Sequence, residues 1–429
     1  MSVSITKKIA FWLYNRIWAL LIPFLRFNHR LADGFSQRTL TDFPEHSADL
    51  WIQAASVGEA FLAVELINKL KPDRALRIRL TSNTRQGLEI LKQASEKLNS
   101  NNDEIHAGAT YFPFDQPAIM KAVVKRTRPS VMVLLEAELW PGLLSALKAT
   151  DCKILIINGR LTEKSLNRYL LWPSFWQSLS PDHIFAISET DAVRFARLFG
   201  SEVVGVMPNI KFDRLKLADP VRQIENPLEN LLPTASPFVV LGSIRQAEEP
   251  LIEKLISYIF NHHPETVFGL FPRHMHRINH WEQSLTRLNI PYRRRSNTEA
   301  AVGPGSVLLW DTFGELIQAY EISCAAFVGG SLKPLGGQNF LEALTCGIVP
   351  VIGPFWENFS WVGPEIFAQG LVRIANDWRQ AAQILIEDIK NPRPPNQVLE
   401  QALLYLKERQ GGTNQACRQI EAFLNIYAG

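Results

Sequence analysis

The chain is poor in cysteine, nearly balanced in charge and short of long apolar runs, and each scarcity removes a class of protein. Four cysteines (Cys152, Cys324, Cys346 and Cys417) are spread over 429 residues. No two are close enough for a zinc knuckle or a redox pair, so they read as reduced core thiols, which favours a cytosolic compartment. The formal net charge of +3 is too small for a dedicated nucleic-acid binder. No Gly-x-Gly-x-x-Gly and no Gly-Lys-Ser/Thr occurs, which takes away the main support for dinucleotide oxidoreductases and P-loop ATPases. Asp-x-Asp is also missing. The one helical-spacing histidine pair, His276 and His280, lacks a third ligand at a recognisable spacing, so no metal site is expected.

What is present is a globular composition, 46% apolar and 20% charged, in a chain long enough for two domains. The only strongly apolar stretch is Ile9 to Leu25, with Asn15 and Arg16 in its middle. Those polar residues tell against a spanning helix, and no small-residue cleavage site marks a signal peptide. Lys7, Lys8, Arg16, Arg26 and Arg30 around its aromatic residues suit a helix lying at a membrane surface, and residues 1–30 are expected to form it. The alternative is an amphipathic helix docked on the protein's own core.

From Leu50 onward, short β-rich runs alternate with helical patterns. Expected strands in the first half are Leu50–Ala55, Ile78–Ser82, Val131–Leu135, Ile154–Asn158 and His183–Ile187. In the second half they are Phe238–Gly242, Thr266–Phe271, Val307–Trp310, Ala326–Gly329 and Val349–Ile352. Continuous apolar runs such as Val131–Leu135 imply parallel sheets covered on both faces. The proline-rich stretch Leu215–Pro237 interrupts the alternation and reads as an inter-domain linker. The expected division is an α/β domain over 31–214, a second over 215–412, and a C-terminal helix over 413–429. Ligands of such domains bind at the C-terminal ends of the strands.

Three segments place chemistry there. Ser56-Val57-Gly58-Glu59 follows the first strand and puts a carboxylate in the first helical turn, although Ser-x-x-Glu is equally a capping box. Glu136-Ala137-Glu138-Leu139-Trp140-Pro141 follows Val131–Leu135, and its acids could bind a sugar hydroxyl or simply complement a helix N-terminus. In the second half, Gly329-Gly330-Ser331 and Gly336-Gly337-Gln338-Asn339 lead to Glu342. The glycines would let backbone N–H groups approach a phosphate, and Glu342 could accept from ribose hydroxyls, although Asn339 and Glu342 also have cap spacing. Arg273, in Pro272-Arg273-His274, offers a guanidinium to a phosphate or base edge.

Trp51-Ile52-Gln53-Ala54-Ala55-Ser56-Val57-Gly58-Glu59 resembles the opening signature of the 3-deoxy-D-manno-octulosonic acid (Kdo) transferases of lipopolysaccharide assembly. Later blocks are similar to that family in the same order: Glu136–Pro141, Asn158–Leu161, Asn209–Asp213, Gly242-Ser243, Pro272–His274, Asp311–Leu316, Gly329–Ser331, Gly336–Asn339 with Glu342, and Gly353-Pro354 with Asn358-Phe359. The resemblance implies a GT-B glycosyltransferase, two Rossmann-like domains facing across a cleft, with CMP-Kdo as donor, a lipid A precursor as acceptor and no cofactor. It also implies work at the cytoplasmic face of the inner membrane. Carried over residue by residue, it makes Glu59 the general base and Glu136 a supporting acid or acceptor contact. It puts Ser243, Arg273, Gly314, Glu315, Gly336, Gly337, Asn339 and Glu342 on the donor side.

Four positions depart from the pattern: Gln53, Arg245 and Gln338 stand where a histidine is usual, and Pro208 where a glycine is. The expected reaction is an inverting displacement at the anomeric carbon, with Glu59 taking the acceptor's proton. Competing readings are a GT-B enzyme using a UDP-sugar and a lipid-linked acceptor, and an inactive membrane-bound scaffold.

Overall fold

Valine, isoleucine and leucine in unbroken runs form strands that must be covered on both faces, and that requirement organises both halves of the protein. The computed structural model describes residues 5–101, 104–136, 138–215, 226–234 and 236–425. Pro220, within the expected linker, lies outside them. The chain divides into two units, Met1–Arg214 with Arg409–Gly429, and Leu215–Glu408.

The first unit is built on seven strands: β1 (Leu50–Ala54), β2 (Leu76–Ser82), β3 (Ile105–Tyr111), β4 (Val131–Leu135), β5 (Lys153–Gly159), β6 (His183–Ala186) and β7 (Val204–Val206). They pair in the order β3-β2-β1-β4-β5-β6-β7, parallel throughout. The order reverses between β1 and β4, which is where an open parallel sheet leaves a crevice for a ligand. Alternate side chains divide between the faces. Leu50, Ile52, Val131 and Val133 enter one core, and Trp51, Met132 and Leu134 the other. The helix Gly412–Asn425 completes the first of these cores through Ala416, Cys417, Ile420 and Leu424. Asp213 caps it, accepting from the Gly411 and Thr413 N–H groups.

The second unit repeats the plan with β8 (Phe238–Ile244), β9 (Val267–Pro272), β10 (Tyr292–Arg294), β11 (Val307–Leu309), β12 (Ala325–Val328), β13 (Pro350–Ile352) and β14 (Arg373–Ile374). Their order is β10-β11-β9-β8-β12-β13-β14, again all parallel. Its reversal lies between β8 and β12. Both units are thus Rossmann-like.

Helix α1 (Ile5–Leu25) docks on the first unit by one stripe and leaves the rest uncovered. Phe11 packs against Phe175 and Trp18 against Phe114. The Tyr14 hydroxyl donates to buried Asp115 at 3.0 Å, and the Asn15 side chain accepts the Ala118 N–H at 3.1 Å. On other faces Trp12, Leu20 and Phe24 are 57%, 72% and 70% exposed. Docking on the core, the alternative weighed from sequence, therefore describes one face only. Among the described residues no helix is long and apolar enough to cross a membrane.

Candidate active site

The loops after β1 and β4 flank the reversal point of the first sheet, and each delivers carboxylates to it. Ser56 caps the helix Val57–Lys69 by accepting the Glu59 N–H. The Glu59 carboxylate in turn accepts the Ala55 N–H at 2.7 Å and the Ser56 hydroxyl at 2.8 Å. Ser56 therefore caps the helix as the pattern suggests, but the Glu59 carboxylate reaches back to the Ala55 N–H rather than that of Ser56, which fixes it on the protein without exhausting it. Each oxygen of an ionised carboxylate can accept twice. Glu59 is buried, and burial raises its pKa above the ordinary value despite those two donors; nearby Glu136 raises it further and Lys211 lowers it.

Glu136 leaves the end of β4 with φ 57°, a left-handed conformation uncommon outside glycine and costing on the order of 1 kcal/mol. Its side chain pairs with Lys211 at 2.8 Å. Asn158, also left-handed at φ 59°, accepts the Ile210 N–H at 3.0 Å and so sets the short helix Ile210–Asp213 that carries Lys211. Glu138 accepts from Trp140 Nε1 at 2.5 Å. Burial first, and then the Glu59 charge, push its pKa up to about 7. Glu59, Glu136, Glu138 and Lys211 thus form one electrostatic group. The sequence offered Glu138 only as one of a pair and gave Lys211 no role. The ion-pair partner of Lys211 lies 75 positions away, so no local pattern exposes it.

Gln53 does not join this group. It is fully buried in a chain of hydrogen bonds, Trp51 Nε1 to Thr81, Thr81 to Gln53 at 2.5 Å and Gln53 to Asn83 at 3.1 Å, which ties β1 to β2 from within the core.

In the second unit the reversal point lies between the loops after β8 and β12. There the expected phosphate cradle is largely committed to the protein itself. The Gly330, Ser331 and Leu332 N–H groups all donate to Glu248, a fully buried carboxylate that the sequence reading passed over. Gly336 and Gly337 are left-handed at φ 83° and 81°, and a Cβ on Gly336 would strike the Asn358 side chain. These glycines serve a tight return in which the Gly337 and Gln338 N–H groups bond to the Gly330 and Gly329 carbonyls. The amide cradle expected at Gly337 is therefore corrected: that N–H is spent within the loop.

The other donor-side candidates fall into two groups. Asn339 donates to Glu342 at 2.8 Å; burial raises the Glu342 pKa, while Asn339 and the Arg273 charge lower it. Arg273 is exposed after β9, and Ser243 sits at the end of β8 with φ 55°. Glu315, by contrast, is taken up by its own loop. It accepts from Trp310 Nε1 and Thr312 and pairs with Arg295 at 2.8 Å. Although burial works against it, those donors hold its carboxyl below the usual range. Gly314 precedes it at φ 91°. His276 stacks on His274, whereas His280 pairs with Glu249. Among the described residues no group of three His, Cys, Asp or Glu side chains could hold a metal ion.

The comparisons with known proteins agree with one another. A family model described as 3-deoxy-D-manno-octulosonic-acid transferase (kdotransferase) matches residues 26–214. The 3-deoxy-D-manno-octulosonic acid transferase of Bordetella pertussis is 28% identical over 385 residues, 88% of each chain. That of Haemophilus influenzae is 28% identical over 411 residues, 93% of this chain and 92% of the relative. A glycosyltransferase structure from Rickettsia africae covers 88% of this chain and 99% of its own, with a TM-score of 0.55 at 12% identity, a likeness of fold alone. With its two Rossmann-like units and this kinship along nearly its whole length, the chain belongs to the Kdo transferases, a family of glycosyltransferases.

Proposed function

We propose that this protein is an inverting transferase that moves Kdo from CMP-Kdo to a lipid A precursor, with Glu59 as general base. The observation that carries the reading is the Glu59 carboxylate. It stands at the C-terminal end of β1, beside the sheet's reversal point, anchored by Ala55 and Ser56 and with its pKa raised by burial. A carboxylate whose pKa is raised gains proton affinity, which favours proton abstraction from a sugar hydroxyl.

In the proposed step the acceptor hydroxyl gives its proton to Glu59 as its oxygen bonds to the anomeric carbon of Kdo. The bond from that carbon to the phosphate oxygen breaks, and CMP departs with the electron pair. Arg273 meets the phosphate charge, and Glu342 with Asn339 accepts from the ribose hydroxyls. Glu136, neutralised by Lys211, contacts the acceptor sugar. A monophosphate leaving group of modest charge needs no metal cofactor in this scheme.

The exposed Trp12, Leu20 and Phe24 of α1, with Lys7, Lys8, Arg16, Arg26 and Arg30 in and around the helix, support a resting place on an anionic lipid surface, at the cytoplasmic face of the inner membrane. The deciding experiment is mass spectrometry of a lipid A precursor incubated with the purified protein and CMP-Kdo. A mass gain of one or more Kdo residues is expected. No gain with CMP-Kdo, alongside transfer from a UDP-sugar, would replace this reading with the competing donor.

A further inference from the structure

Most arginines at this end of the second unit are spoken for. Arg277 pairs with Glu249, Arg287 with Glu253, Arg294 with Glu282 and Arg295 with Glu315. Arg293 on the edge strand is exposed and in no ion pair, and at the strand ends, among the described residues, neither Arg245 nor Arg273 is in one, although both are accessible to solvent.

Their placement is set by the sheet. In the β8–β9 register Ile244 lies opposite Pro272, and the Arg273 N–H bonds to the Ile244 carbonyl at 2.8 Å. The residue after each strand is an arginine, so two guanidinium-bearing residues leave neighbouring strands at their C-terminal ends. Arg245 belongs to the loop beside the β8–β12 reversal, where such sheets bind ligands.

Among the described residues no acid forms an ion pair with either arginine. Glu248 accepts the Gly330, Ser331 and Leu332 amides and the Arg245 N–H, Glu249 pairs with Arg277 and His280, and Glu342, bonded to Asn339, feels the Arg273 charge without an ion pair to it. Like charges placed side by side without an ion-pair partner repel, and the repulsion is relieved when an anion binds. His274, beside both guanidinium groups, shows the local field. Slight burial, Arg245, His276 and Arg273 all push its pKa below the ordinary value. The two arginines are not equivalent, because Arg273 is the cation acting on Glu342. That puts Arg273 on the nucleoside side and Arg245 beyond it.

We propose that Arg245 and Arg273 clamp a donor bearing two separate anionic groups, Arg273 holding the nucleotide phosphate and Arg245 the carboxylate of the transferred sugar acid. The inference rests on the CMP-Kdo reading and deepens it by naming the residue that selects an acidic sugar. A guanidinium suits this because its planar fork can hold a carboxylate through two parallel hydrogen bonds.

The test is calorimetric titration of the full chain with CMP and with CMP-Kdo. Arg245→Gln should weaken CMP-Kdo binding about ten- to hundredfold, the effect of one charge-assisted contact, and leave CMP binding within about twofold. Arg273→Gln should weaken both ligands. Arg245→Lys, with the charge but not the fork, should fall between wild type and Arg245→Gln, and it serves as the reporter if the glutamine variant melts early. Equal loss of CMP and CMP-Kdo in Arg245→Gln would make Arg245 a phosphate ligand and overturn the assignment, as would no change in either. Wild-type protein that binds neither ligand would remove the CMP-Kdo reading and this inference together, an outcome distinct from the other two.

Discussion

The two units share a strand plan and use opposite electrostatics at its ends. In the first, the loops after β1 and β4 present carboxylates: Glu59 held by one N–H and one hydroxyl, Glu138 by a single indole N–H, Glu136 by Lys211. In the second, the carboxylate at the corresponding place, Glu248, is sunk among three loop amides, and among the described residues the guanidinium groups of Arg245 and Arg273 are in no ion pair. One unit keeps negative charge partly buried and available, and the other uses its own acid as mortar and leaves positive charge outside. A buried carboxylate with few donors, such as Glu59 or Glu138, has a raised pKa and can take a proton, whereas Glu248 spends its oxygens bracing the backbone. Sheets with the same connectivity are thereby suited to different tasks, the first to holding a base and the second to holding an anion.

The largest effect that would test this contrast is on turnover. Glu59→Ala should lower the rate of Kdo transfer about 10²–10⁴-fold while CMP affinity is unchanged. Near wild-type turnover in that variant would mean that the first unit's carboxylates are structural after all. Glu248→Ala probes the other half. It strands three buried amides at about 1 kcal/mol or more each, so unfolding free energy measured in denaturant should fall by roughly 3 kcal/mol. A loss below about 1 kcal/mol would show that the loop does not depend on its acid.

A third variant sharpens the description of the acidic group. The folded-state pKa of Glu138, about 7, lies above its ordinary 4.5. Its contribution to stability is therefore present in full below pH 4.5 and lost as pH rises through 7. Glu138→Gln removes that loss, so relative to wild type it should be more stable by on the order of 2 kcal/mol at pH 8 and show little difference at pH 4. A pH-independent difference would mean that neither burial nor the Glu59 charge raises the Glu138 pKa in the folded protein. The smallest effect concerns α1: Tyr14→Phe deletes the hydrogen bond to Asp115 and should cost about 1 kcal/mol, seen as faster amide exchange in Ile5–Leu25. Unchanged exchange there would assign the docking to Phe11 and Trp18 instead.

The ten strands expected from the sequence are the interior ones of both sheets, and the four that went unnoticed, β3, β7, β10 and β14, are the edges. An interior strand is covered on two faces and shows as a continuous apolar run. Edge strands such as Val204–Val206 and Tyr292–Arg294 are short and half-exposed, with too little apolar signal to stand out. The same holds for the site. Glu59, Glu136 and Glu342 were legible because each sits in a compact motif just after a strand or at a helix start. Lys211 and Glu248 were not, since their partners are 75 and 82 positions away.

Local order alone determined the alternation of strand and helix, the kinship with the Kdo transferases and the Ser56–Glu59 cap, because each is written within a few consecutive residues. Tertiary structure decided which strands are neighbours, and with them everything that depends on apposition. It committed the Gly330–Leu332 and Gly337 amides to the protein, consigned Gln53 to the core, and set Arg245 beside Arg273 at the ends of neighbouring strands. Whether a polar group is free or spent depends on what the fold brings within about 3 Å of it, and that distance has no counterpart along the chain.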